Sequence, residues 1–145
     1  MTDFNSLIPE ARAFYTNLKD NNSKAWWDEN RSTYDTILRP TAQALLAELG
    51  PKLAELTGGN ITTKLFRANR DVRFSKDKTP YHTHLHMMWN LAGDGPQAPV
   101  YFFGIGLDYV TVGAGMMDFQ KPVLENWRKF ADLDADRLLA LCTRL

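Results

Sequence analysis

The most concentrated chemistry in the chain lies between Arg67 and Tyr81, a segment reading Arg-Ala-Asn-Arg-Asp-Val-Arg-Phe-Ser-Lys-Asp-Lys-Thr-Pro-Tyr. Lys64, Arg67, Arg70, Arg73 and Lys76 recur at every third position, Lys78 adds another cation, and only Asp71 and Asp77 oppose them. Guanidinium forks match paired oxygens on phosphate or carboxylate, and Ser75 and Thr79 offer hydroxyl donors. One reading is therefore an anion pocket built from Arg67, Arg70, Arg73, Ser75, Lys76 and Lys78. Asp71 or Asp77 would orient those groups, or act as a base in an enzyme, and Tyr81 would close one wall. The other reading is a clamp, in which the same Arg and Asp side chains pair with each other and with backbone carbonyls to hold a long loop. Long ordered loops often carry sites, but the spacing alone does not choose between the two.

Three further patterns are weaker. His82, His84 and His86 alternate, so a strand would aim all three at one face. No carboxylate or cysteine lies nearby in sequence to complete a ligand set, and no metal is assigned. The lone Cys142 sits among Leu138, Leu139, Leu141 and Leu145, where a buried, inert thiol is expected. Gly104-Ile-Gly106 and Gly113-Ala-Gly115 lack the rest of a dinucleotide fingerprint, so no cofactor is implied.

The elements that must position these residues follow from periodicity. Leu7, Ala11, Phe14, Tyr15 and Leu18 predict an amphipathic helix over about 8–21. Ser23 is the expected N-cap of a second helix carrying Trp27, Tyr34 and Leu38 on one face. Arg39-Pro40 predicts a kink or break, followed by a helix with Leu45, Leu49, Leu53 and Leu56 facing inward and Gly58-Gly59 ending it. Ile61–Phe66, Tyr81–Leu91, Val100–Leu107 and Tyr109–Met116 read as strands, with a turn over Gly93–Pro99. Gly113 and Gly115 suggest a bulge or close backbone approach. Pro122 opens a helix carrying Leu124, Trp127 and Phe130, and Asp134 is placed to cap a last one. Trp26, Trp27, Trp89 and Trp127 are expected core anchors. Helices in blocks around hairpin-linked strands predict an α+β fold with N-terminal helices, a mostly antiparallel sheet of about four strands and C-terminal helices. At 145 residues, one domain spanning 1–145 is the expectation.

Composition removes several classes of function. The hydrophobic share of 44% suits a globular protein rather than a disordered one. Seventeen basic and 17 acidic side chains cancel, so there is no global attraction to nucleic acid or anionic lipid and recognition of charge must be local. No apolar stretch is long enough to cross a membrane as a helix. The N-terminus carries charge rather than an apolar leader core, and a single cysteine suits a reducing compartment, so a cytoplasmic location is expected.

Three blocks carry a family resemblance: Phe14–Arg31, Asn69–Tyr81, and Val100–Phe103 leading to Val112–Met116. They resemble the uncharacterised domain-of-unknown-function family 2461, over about Leu7 to Phe130. The resemblance implies no activity, but it ranks residues. Most of 70–81 falls inside the family signature, and Asn22, Lys24, Trp27, Asn30, Arg31 and Tyr34 match the first block. Asn30 and Arg31 are thereby expected to approach the basic loop from the helix. Family members usually continue several tens of residues beyond the equivalent of Leu145, and an uncovered apolar face would favour self-association. The expected ligand is a small anion, phosphate or carboxylate. The alternative is a protein-interaction or structural module.

Overall fold

The computed structural model describes residues 4–92, 98–116 and 118–144, so most of the expected Gly93–Pro99 turn lies outside the described residues. The fold is α+β. Helix α1 spans Leu7–Asp20 and buries Leu7, Ala11, Phe14, Tyr15 and Leu18, the face its spacing predicts. Ser23 caps α2, Lys24–Thr33, by accepting a hydrogen bond from the Trp26 N–H at 3.2 Å. Ser23→Ala should therefore cost about 1 kcal/mol of stability, read as a lower urea midpoint at unchanged slope.

Arg39-Pro40 neither breaks the chain nor leaves an ordinary helix. A π-helical turn, Tyr34–Leu38, joins α2 to α3, Arg39–Thr57, and the backbone stays helical across both joins. Proline has no N–H for the carbonyl one turn back. The ladder adjusts just before it, where the Arg39 N–H reaches the Tyr34 carbonyl five residues away. The buried face of α3 carries Ala42, Leu46 and Gly50. It is turned slightly from the expected leucine face: Leu45, Leu49 and Leu53 pack at its margin, and Leu56 is 75% exposed. Gly58, at φ 66°, ends α3 in the left-handed conformation that glycine adopts freely.

Four strands form one antiparallel sheet in sequence order: β1 Ile61–Leu65, β2 Leu85–Leu91, β3 Val100–Ile105 and β4 Val110–Gly115. β2 alternates cleanly, with Leu85, Met87 and Trp89 buried beneath the helices. The Trp89 indole N–H donates to the Leu46 carbonyl at 3.0 Å, which fixes α3 on the sheet.

Four expectations need correction. Tyr81 makes only an isolated bridge to Asn69, in which the Arg70 N–H donates to the Pro80 carbonyl and the His82 N–H to the Ala68 carbonyl, and the second strand begins only at Leu85. A side chain at Gly113 or Gly115 would meet nothing within 4 Å, and the β3–β4 register runs without a bulge. The close approaches in this hairpin are instead at Gly106, where a Cβ would run into the Tyr109 ring, and at Gly104, where it would lie 2.8 Å from the Phe102 ring and 3.0 Å from the His86 ring. Helices α4, Lys121–Leu133, and α5, Ala135–Cys142, bury no residue, so Trp127 is 44% exposed and Cys142 is exposed. Asp134 makes no capping bond and lies 3.7 Å from Arg137 instead.

Candidate functional site

The basic loop is held down by its own charges. Arg70 Nη1 donates to Asp77 Oδ2 at 2.6 Å, to the Thr79 carbonyl at 3.0 Å and to the Thr79 hydroxyl. Asp77 in turn accepts from the Thr79 N–H at 2.9 Å. Arg73 forks onto Asp71, with Nε and Nη2 at 2.9 and 2.7 Å. Lys78 Nζ donates to the Val72 carbonyl at 2.9 Å, and the Ser75 N–H donates to the same carbonyl at 3.3 Å. The Thr79 and Arg70 donors hold the Asp77 carboxyl down to about 2, and Arg73 lowers that of Asp71.

The loop is also tied to the helices. Asn22 Nδ2 donates to the Tyr81 carbonyl at 2.9 Å, and the Tyr81 N–H donates to Asn22 Oδ1 at 3.1 Å. Below that bridge the Tyr81 ring stacks on Trp27 at 4.3 Å and 11°. Trp27 packs on Tyr34 at 5.2 Å and on Phe14 at 5.8 Å.

This aromatic joint forms the floor of a cleft of about 750 Å³ between the helices and β1. On the helix wall stand Lys24, Asp28, Arg31, Asp35, Arg39 and Gln43. On the other wall run residues 63–69, Lys64 and Arg67 among them. On the helix wall the charges pair. Lys24 meets Asp28 at 2.5 Å, and Asp35 meets Arg31 at 2.7 Å and Arg39 at 3.9 Å. On the strand wall they do not. Lys64 lies 4.9 Å from the Phe66 ring centre, and neither Lys64 nor Arg67 forms an ion pair among the described residues. Five cations thus face two carboxylates, an excess of three positive charges. Burial raises the Tyr34 pKa, so its phenol adds no negative charge to the cleft.

The structure thus brings Arg67, Arg31 and Tyr81 together. Arg70, Asp71, Arg73, Ser75, Lys76, Asp77 and Lys78 lie off the cleft lining. Asn30 also lies off it, donating along its own helix to the Trp26 carbonyl at 2.8 Å. The cleft residues missed in sequence are Lys24, Asp28, Asp35, Arg39, Gln43 and Lys64 in this role. Lys24, Asp28, Arg31, Asp35 and Arg39 recur every three or four residues, a one-face charge stripe that was there to be read.

The histidines gather elsewhere, on the sheet face away from the helices. His84 stacks on His86 at 3.7 Å and lies 4.7 Å from His82, and His86 Nε2 is 2.7 Å from the Tyr109 hydroxyl. Burial and the neighbouring imidazoles push the His84 pKa down to about 4, and burial lowers His82 and His86. A histidine pKa depressed by folding means that the unfolded chain binds more protons at mildly acid pH. Stability from the stack should therefore be present above about 6.5 and fall as pH drops towards 4. Thermal melts across that range should show the loss, and His84→Gln should lessen it, His82 and His86 supplying the rest. Asp77 acts in a separate window. Its depressed pKa adds stability above its unfolded value of 3.8, lost as pH falls towards about 2.

The architecture defines an α+β protein with a cationic cleft between a helical layer and a sheet edge. A family model, Conserved hypothetical protein (DUF2461), matches residues 10–144, and the chain belongs to that family. No curated protein matches the chain significantly, and no solved structure does.

Proposed function

We propose that the chain binds an organic anion, a phosphate or carboxylate, in the cleft between α2 and β1. The carrying observation is the strand wall, where Lys64 and Arg67 stand without carboxylate partners beside a helix wall whose own cations are paired. Cations left unpaired in a concave site attract anions from solution, and guanidinium adds bidentate geometry. A cavity of about 750 Å³ suits a molecule larger than inorganic phosphate. The π-helical turn supports the reading, since such turns concentrate at functional sites and this one supplies Tyr34 and Asp35 to the wall.

In this reading Arg70, Arg73, Asp71, Asp77 and Thr79 are the frame. They hold the loop so that Arg67 and Tyr81 keep their places. The test is a thermal-shift panel of phosphate, citrate, nucleotides and sugar phosphates against neutral analogues. At a hundred times its dissociation constant, a bound anion adds about 2.7 kcal/mol, a rise of several degrees. A selective rise for anions is the expected result, and a flat panel would refute the reading.

A further inference from the structure

The shape of the cleft bears on what kind of anion it takes. Its helix wall runs from Lys24 to Gln43, which at 1.5 Å per residue is about 28 Å. Cations are spread along it at positions 24, 31 and 39, too far apart for one small anion to meet together. The opposite wall is an edge of the sheet: β1 is the terminal strand, and the consecutive residues 63–67 all line the cleft. The Phe66 N–H donates to the His86 carbonyl, and the Asn60 carbonyl accepts from Ala92. Antiparallel alternation therefore turns the N–H and C=O groups of Ile61, Thr63 and Leu65 outward. Among the described residues no hydrogen bond reaches those outward groups.

We propose that the cleft receives an extended acidic peptide from a protein partner, which adds as a strand to the outer edge of β1. This rests on the anion reading above and names the ligand class. The outward groups of Thr63 and Leu65 would supply the main-chain ladder, Lys64 and Arg67 would meet acidic side chains directly, and Arg31 and Arg39, which share the single carboxylate of Asp35, would add to the attraction. About eight residues of strand cover 28 Å. A single-stranded nucleic acid fits less well. Trp27, Tyr34 and Tyr81 are buried against one another and offer no open ring face for bases.

The test uses the full chain and a fluorescent octapeptide alternating Glu with Thr or Val, read by anisotropy. A second peptide carries the same side chains with alternate backbone amides methylated. The expected result is binding that weakens roughly tenfold or more on methylation, because charge is kept and the ladder is lost. Thr63→Pro should weaken the parent peptide similarly, since its outward N–H serves only an added strand. If that variant does not fold, the methylated peptide still decides. Equal binding of both peptides would overturn strand addition, as would tighter binding of a single-stranded oligonucleotide of equal charge. Citrate binding without peptide binding would overturn the peptide and leave the anion reading standing. Binding of neither would remove both.

Discussion

Replacing Trp27 with alanine should destabilise the protein by about 3–5 kcal/mol, the usual cost of emptying a large aromatic site in a packed core. Trp27 is 6% exposed and touches Phe14 of α1, Tyr34 of the π-helical turn and Tyr81 of the basic loop. The cavity would open where three elements meet, so no single element can relax to fill it. Natural domains hold only about 5–15 kcal/mol in total, so the loss is a large share of the whole. Urea denaturation should show the midpoint falling steeply. Loop amides near Tyr81 should exchange faster with solvent, because the ring that Tyr81 stacks on is gone. A loss below about 1 kcal/mol would show that Trp27 is not the joint described above.

Arg67→Glu should abolish most anion binding while leaving the fold intact. Arg67 is exposed and forms no ion pair among the described residues, so its removal orphans no carboxylate. The substitution takes the cleft from an excess of three positive charges to one. Losing a charged hydrogen-bond donor costs about 1.5–3 kcal/mol, roughly 10- to 150-fold in affinity, and repulsion adds to it. Arg73→Ala is the matched control. Its guanidinium is spent on Asp71 and lies off the cleft, so affinity should change by less than about twofold. Isothermal titration with whichever anion gives the largest thermal shift measures both. The reverse order, Arg73 essential and Arg67 dispensable, would move the site onto the loop itself.

Much of the fold was legible because its signals are local. The α1 stripe, the Ser23 cap, the Gly58 stop and the β2 alternation each depend on neighbours a few residues away. The failures needed tertiary knowledge. Leu56 and Trp127 are apolar at helical spacing, yet both stay exposed, Trp127 meeting only Phe130 of its own helix among the aromatic rings, and periodicity cannot report whether a covering element exists. The small rotation of the α3 face was likewise not local: the leucines inside α3 announce an apolar face, but which edge of it the sheet takes is set by packing against β1 and β2. At the site, the arginine run announced itself, but which of its members were already neutralised did not. Arg70 with Asp77 and Arg73 with Asp71 are contacts at separations of seven and two, set by the shape of the loop. Arg67 reaches the cleft because it lies two residues past the end of β1, and its neighbours on the helix wall are far away in sequence.

The most direct test of the cleft is a titration of labelled protein with citrate or phosphate, following arginine side-chain Nε–Hε resonances by NMR. Binding in the cleft predicts progressive, saturable shifts at Arg67 and Arg31, which line it, with Arg70 and Arg73, which lie off its lining, unmoved. Saturable shifts centred on Arg70 and Arg73, or no saturable shift at any arginine, would contradict it.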